Sequence, residues 1–150
     1  MSFIGNFAAA QSASAIGKYN QSVYQQQAAY DRKKAAINQK TFTQVTKPLL
    51  LRKFNKDYAN QFVSALSSGA EIRAGDSPYL ALLELKYNQA TELVIADFNQ
   101  EMDQTELINR SLLTEAKGVG ARFKGDMTAR AENIKGFASL LSTGREAGYI

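Results

Sequence analysis

Two carboxylates at helical spacing are the clearest candidates for chemistry in this sequence. Asp97 and Glu101 lie four residues apart, so on a helix they would share one face and could hold a hard cation. Phe98 and Met102 stand beside them, which is typical of the polar rim of an amphipathic helix. We therefore favour a rim over a metal site, and we expect neither a metal nor another cofactor.

Histidine and cysteine are both absent from the chain. Histidine is the commonest general base and metal ligand, and cysteine supplies the thiolate of many nucleophilic and metal sites. Zinc sites, histidine-dependent di-iron sites and disulfides are therefore excluded. We expect no catalytic residues, and hence a protein that is not an enzyme.

The stretch SSGAEIRAGDSPY begins at Ser67 and has the glycines of a phosphate-binding loop but not their spacing. That loop needs four residues between its glycines and then a lysine, whereas here five residues intervene and an aspartate follows. A connection between helices fits better. Gly69 can end one helix in a left-handed conformation, Gly75 permits a turn, and Asp76 or Ser77 can cap a helix that starts with Pro78.

A candidate basic face lies between residues 32 and 56, where side chains could contact phosphates. Tyr24 and Tyr30 could stack on bases nearby. The net charge of +4 predicts only general attraction to polyanions, so we expect any contact with DNA to be weak and non-specific. The face comprises Arg32, Lys33, Lys34, Lys40, Arg52, Lys53 and Lys56.

The elements that must position these residues are helices. The chain has 150 residues, which suits one domain, with two prolines and many unbranched side chains that lose little freedom in a helix. Leu51, Phe54, Tyr58, Phe62 and Ala65 recur at helical spacing after Pro48, where we expect a kink or restart. Upstream, residues 5–46 show a weaker pattern and could form a helix exposed along much of its circumference. Their better packing anchors are Tyr19, Val23, Tyr30, Ile37, Phe42 and Val45.

A second, longer stripe steps by threes and fours from Leu83 to Leu141. Its steps average about 3.6 residues, which indicates a nearly straight α-helix. The members are Leu83, Tyr87, Ala90, Val94, Phe98, Met102, Thr105, Ile108, Leu112, Ala116, Val119, Phe123, Met127, Ala131, Ile134, Ala138 and Leu141.

These patterns predict an all-α fold, an elongated antiparallel hairpin of two long helices. A short connection favours antiparallel neighbours. The single domain 1–150 would comprise an uncharged N-terminal segment, a first arm, a Gly/Ser/Pro turn, a second arm and a tail, at residues 1–17, 18–66, 67–78, 79–143 and 144–150 respectively.

Charge supports this pairing. Residues 1–60 carry nine basic and two acidic side chains, whereas residues 61–115 carry three basic and nine acidic ones. Folding at the turn would bring the two runs together, where opposite charges select orientation. The alternative is that both runs are solvated helix faces.

The first 17 residues carry no charged side chain but are interrupted by Asn6, Gln11, Ser12 and Ser14. They lack the basic start and continuous apolar centre of a secretory signal and are shorter than a bilayer span. We interpret them as helix. Phe3, Ile4 and Phe7 could enter a membrane interface or pack against another subunit.

Small residues line up on the second arm. Taking about 100° per residue, Gly118, Gly125, Ala129 and Gly136 fall within about 20° of one line, roughly opposite Met127 and Ile134. They would let another helix approach closely, which makes this a candidate helix–helix or oligomer face. The alternative is that GVG at 118–120 breaks the helix.

The turn and its two flanking helices resemble the small internal virion proteins of T7-like podophages, the ejection proteins called internal virion protein B. The resemblance is carried by a long Ala/Gln/Asn-rich helix, by a turn with Ser68, Gly69, Ala70, Gly75, Ser77 and Pro78, and by a second long helix with Glu84, Leu85 and Asn88 in ELKYNQA. It covers about residues 20–115. Asp76 between Gly75 and Ser77 departs from the pattern.

The resemblance implies a structural protein packaged in the capsid core near the portal and ejected to help form a conduit across the host envelope. Its implied partners are further copies in a ring, other virion core proteins, the portal region and, after ejection, the host membrane. We expect the small-residue face to pack against a neighbouring subunit in that ring and the charged faces to line the lumen or to contact partner core proteins.

Two other functions remain open from the residues. One is a helical adaptor or chaperone-like protein that binds a partner's amphipathic helix. The other is a basic architectural protein that binds DNA.

Overall fold

The computed structural model describes residues 3–69 and 71–146, without the side chains of Phe3, Gly144 and Glu146. Ala70 of the turn and residues 147–150 of the predicted tail lie outside the described residues. The elements are α1 (Phe3–Thr41), a π-helical turn (Phe42–Thr46), α2 (Lys47–Ser67) and α3 (Ser77–Glu146). The described parts of the chain contain no strand. The predicted all-α helical hairpin, with its turn, is confirmed.

The interruption expected near Pro48 is the π-helical turn. The Lys47 N–H donates a hydrogen bond to the Phe42 carbonyl, five residues back. Proline has no N–H, and its ring clashes with the carbonyl four residues earlier in a continuous α-helix. The wider turn accommodates that ring, so α2 starts with proline in its first turn and the chain stays helical.

Two glycines form the connection between α2 and α3. Gly69 has a φ of +76° and donates its N–H to the Leu66 carbonyl over 3.0 Å, which closes the end of α2. Gly75 has a φ of +94°, just before α3. The Leu80 N–H then donates to the Asp76 carbonyl over 3.0 Å and starts the new helix, with Ser77 and Pro78 as its first residues. Positive φ is readily adopted only by glycine.

The chain divides into two compact units. Unit 1 contains residues 1–32 and 108–150, and unit 2 contains residues 33–107. In unit 1, α3 runs antiparallel to α1, because Phe7 contacts Phe137 and Ser14 bonds Asp126, whereas Asp31 pairs with Arg110. Rising numbers on α1 therefore meet falling numbers on α3.

Unit 2 has the same antiparallel arrangement. Lys47 pairs with Asp97, and the Gln89 side chain donates to the Phe54 carbonyl over 3.0 Å. Phe54 and Leu82 are the buried large apolar side chains of the described residues. Tyr58 stacks on Phe62 in the same predicted first-arm stripe, whereas Leu51 of that stripe is exposed.

Candidate interaction surface

The contact between α1 and α3 in unit 1, here called the seam, is made by small residues. Gly125 faces Gly17 so closely that a Cβ on Gly125 would lie 2.8 Å from the Gly17 Cα and 2.8 Å from the Ala13 carbonyl oxygen. Real side chains essentially never approach so closely, so glycine is needed for this helix spacing. The seam is backbone against backbone at this point.

The other predicted small residues lie on the same seam. A Cβ on Gly118 would meet the Tyr24 Cβ at 3.0 Å, and one on Gly136 would meet the Phe7 ring at 3.3 Å. Ala129 is buried between them. From α1 the seam is completed by the buried residues Ala10, Gly17 and Ala28.

The structure excludes the alternative of a helix break at this face and corrects the expectation that a neighbouring subunit covers it. The helix does not break at residues 118–120, because α3 runs without interruption from Ser77 to Glu146. The face is also not free for a neighbouring subunit, since α1 of the same chain covers Gly118, Gly125, Ala129 and Gly136. The physical reason is that the predicted helix–helix approach is made within the hairpin.

Polar side chains, not large apolar ones, occupy one end of the unit 1 seam. Asp31 is only 1% exposed, and both its carboxylate oxygens accept hydrogen bonds from Arg110. The Arg110 Nε lies 2.8 Å from Asp31 Oδ2. Ser111 is fully buried beside this pair and donates to the Ile108 carbonyl over 2.7 Å. A two-pronged arginine–carboxylate bond fixes orientation as well as adding energy.

Further polar contacts fix the register of the hairpin. In unit 1, Arg32 bonds both Ser111 and Glu115, and the Ser14 hydroxyl lies 3.0 Å from Asp126 Oδ1. In unit 2, the Lys47 Nζ lies 2.8 Å from Asp97 Oδ2, which joins the basic and acidic runs as charge complementarity suggested. Because the charged side chains of these ion pairs are partly exposed, the pairs select a register more than they add stability.

The candidate basic face is not one continuous surface. Arg32 is engaged with Glu115, and the other six residues are exposed. At about 100° per residue, Arg52 and Lys56 lie about 160° and Lys53 about 100° from the buried Phe54 on α2, whereas Lys33, Lys34 and Lys40 spread over about a third of the circumference of α1. The charges are therefore distributed around two helices.

The Asp97 and Glu101 pair is not arranged as a metal site. Asp97 accepts from Lys47, and Glu101 is exposed. Within residues 3–69 and 71–146, no three acidic groups lie close enough together to hold a metal ion.

Most of the large apolar side chains described in unit 1 lie on the outside, whereas Phe7 is half-buried at the seam. On α3 we call this set the unit 1 stripe, and its members are between 48% and 69% exposed: Leu112, Val119, Phe123, Met127, Ile134 and Leu141. On α1 the expected packing anchors Tyr19, Val23 and Tyr30 are exposed as well, so that expectation was wrong. Small residues allow the two helices to approach closely, and no bulky side chain fits between them where Gly17 faces Gly125.

Unit 2 shows a similar exposed set on α3. The unit 2 stripe consists of Leu83, Tyr87, Val94, Phe98 and Met102, of which Tyr87 is 73% exposed. On the first arm, the expected anchors Ile37 and Val45 are exposed and Phe42 is half-buried. Apolar surface of this extent and continuity is typical of a site that binds another protein.

The N-terminal segment packs against α3 of the same chain, through Phe7 as well as through the seam residues Ala10, Ser14 and Gly17. The Phe7 ring meets the Phe137 ring edge to face, with centroids 5.4 Å apart, whereas Ile4 is exposed. None of the helices in the described residues is both long and apolar enough to cross a membrane.

The seam residues that sequence reasoning missed are mainly polar. Asp31, Ser111 and Thr114 are buried, and none was singled out. A signal exists on α1 of unit 1, where the buried and half-buried residues recur in steps of three and four: Ala10, Ser14, Gly17, Gln21, Tyr24, Ala28 and Asp31. Their shared property is modest size or a polar group, which a search for large apolar residues overlooks.

Comparison with known proteins adds no relative. No protein-family model, curated protein or solved structure is significantly similar to this chain. The candidate site therefore rests on the exposed stripes and the residues beside them.

Proposed function

We propose that this chain is a structural protein of a phage virion, an internal ejection protein of the T7-like podophage kind. It is packaged in the capsid core near the portal and released to help form a conduit for the genome across the host envelope. The observation that supports this role best is a helical hairpin whose large apolar side chains face outward in both units. The location in the virion is proposed from the resemblance, whose motifs lie at residues 67–90.

The exposed stripes are suited to assembly. Exposed apolar surface is stabilised when a partner covers it, at roughly 25 cal/mol for each Å² removed from water. A neighbouring subunit or another core protein would bury the unit 1 stripe and the unit 2 stripe. Ring neighbours therefore meet on these stripes, and not on the small-residue face that α1 already covers.

The seam is suited to passage through a narrow channel. Alanine and glycine bury little apolar area, so separating α1 from α3 exposes less apolar surface than opening a leucine-rich bundle would. Each helix keeps its own backbone hydrogen bonds when the two helices separate. The stripes bind one set of partners in the capsid and another in the host envelope. Host membrane contact, in this proposal, follows from the assembled apolar faces.

The proposal is tested by quantitative mass spectrometry of purified virions of the encoding phage, before and after triggered DNA release. The expected result is a constant number of copies per full particle and a severalfold depletion in emptied particles, relative to the major capsid protein. Retention of all copies after release, or absence from full particles, would rule out an ejection protein.

A groove in unit 2 favours the helical adaptor as a second function. Tyr58, Phe62, Ile72, Tyr79 and Leu82 line an open space of about 370 Å³, with Lys86 lying 4.7 Å from the Tyr58 ring centroid. An apolar segment of a partner would fit such a groove. An adaptor that acts during assembly is absent from the finished particle, so the same measurement separates it from an ejection protein.

A further inference from the structure

Unpaired basic side chains border the unit 1 stripe. Lys117 and Lys124 are exposed, and they take part in none of the ion pairs among the described residues. Taking about 100° per residue, they lie about 20° apart and about 100° around the helix from the middle of the stripe. The unit 1 stripe therefore has a positive edge.

Unpaired acidic side chains border the unit 2 stripe in the same rotational sense. Glu84, Glu92 and Glu106 are exposed and likewise absent from the ion pairs that the described residues make. They fall within about 40° of a line that is again about 100° from the middle of their stripe. The unit 2 stripe therefore has a negative edge.

We infer that the unit 1 stripe of one copy packs antiparallel against the unit 2 stripe of a second copy. When two helices pack antiparallel, the flank on a given side of one stripe faces the corresponding flank of the other, as in antiparallel coiled coils. Lys117 and Lys124 of one chain then lie beside the acidic edge of its neighbour. This inference deepens the proposed function, because it rests on assembly through the stripes and names the partner as another copy.

Charge selects this pairing over the alternatives. Packing two unit 1 stripes together antiparallel would oppose lysine with lysine, and packing two unit 2 stripes would oppose glutamate with glutamate. Apolar contact supplies attraction in all three cases, whereas only the mixed pairing places opposite charges together. The mixed pairing is also reciprocal, so a second contact of the same kind can form on each chain.

The inference is tested by charge reversal and sedimentation velocity at low salt. One variant carries Lys117→Glu with Lys124→Glu, and the other carries Glu92→Lys with Glu106→Lys. Each places like charges at the interface and is expected to weaken self-association by about tenfold or more. The control, Lys53→Glu with Lys56→Glu, changes net charge as the first variant does but lies on the outward side of α2. Its association should stay within about threefold of the unchanged chain.

Recombining the reversals is the decisive step. A chain with all four substitutions, or an equimolar mixture of the two variants, restores opposite charges and should associate within about threefold of the unchanged chain. Circular dichroism should show equal helix content throughout, because all six positions are exposed. The inference is overturned if the fourfold variant associates as weakly as either parent, or if the unchanged chain stays monomeric at its highest soluble concentration.

The interface between copies and the proposed function can fail independently of each other. A monomeric chain that is nevertheless present in full virions and lost on DNA release would remain an ejection protein whose stripes bind other core proteins. A chain that self-associates as inferred but is absent from virions would keep the interface and lose the proposed function.

Discussion

Gly17 and Gly125 face each other across the unit 1 seam so closely that a Cβ on either would lie 3.0 Å or less from the Cα of the other. The hairpin thus closes by direct approach of two helix backbones. Since nothing larger fits between the helices there, the bulky apolar side chains are left on the outside. Both the stability of the hairpin and its exposed stripes follow from this approach.

Adding one methyl group at Gly125 should therefore destabilise the protein. We expect Gly125→Ala to lower the free energy of unfolding by about 2 kcal/mol, because the clash with backbone atoms forces the helices apart. Thermal unfolding followed by circular dichroism measures the change. Gly120→Ala is the matched control: no atom lies within 4 Å of its Cβ, and alanine is the better helix former, so its stability should rise by up to about 1 kcal/mol. Equal effects of the two substitutions would contradict a close-packed seam.

The buried carboxylate of Asp31 predicts unequal effects for two arginine–carboxylate pairs. Arg110→Ala should cost about 2 kcal/mol or more, because Asp31 remains buried and loses the arginine that bonds both its oxygens. Glu115→Ala breaks the more exposed pair with Arg32 and should cost less than about 1 kcal/mol. Urea unfolding of both variants provides the comparison. A larger loss for Glu115→Ala would contradict the assignment of Asp31 to the seam.

Two phenylalanines provide a matched test of which side is buried. Phe54 is 6% exposed and Phe123 is 66% exposed. Phe54→Ala should lower the free energy of unfolding by about 3 kcal/mol, as for other core phenylalanines. Phe123→Ala should change it by less than about 0.5 kcal/mol in the monomer while weakening self-association. Chemical unfolding and light scattering measure the two effects, and loss of monomer stability at Phe123 would disprove its outward position.

Backbone conformation alone should make substitutions of Gly69 destabilising. Its φ is +76°, and no atom would obstruct an added Cβ. Gly69→Ala should therefore cost about 1 kcal/mol, the usual penalty for a side chain in the left-handed region. Gly69→Asn should cost less, because asparagine tolerates that region better. Thermal unfolding of the two variants measures the difference. A greater loss of stability with asparagine than with alanine would contradict the positive φ at this position.

The elements of the fold could be predicted from sequence because each has a local cause. The stripe from Leu83 to Leu141 indicated one long helix, and α3 is continuous over that span. Gly69 and Gly75 indicated the turn, and both have positive φ. Pro48 indicated an interruption, which is a π turn. Helical spacing and glycine conformation are properties of a few neighbouring residues.

The side on which the helices meet could not be predicted from the same signals. Tyr19, Val23 and Tyr30 looked like anchors because large apolar residues usually fill a core. In this protein the helices meet at Gly17 and Gly125 and not at those large residues. The two glycines are distant in sequence, so their contact cannot be read from a local pattern. Asp31 was missed because its burial depends on Arg110 of the other helix.

The central claim is that small residues face the partner helix and large apolar residues face outward. Because the chain has no cysteine, single substitutions Ser111→Cys and Leu112→Cys can report on these adjacent positions. Thiol-modification rates would be measured at a concentration where light scattering gives one chain per particle. Modification should be slow at position 111, which is fully buried, and fast at position 112, which is 52% exposed. The reverse order would place the apolar stripe inside the hairpin and contradict this arrangement.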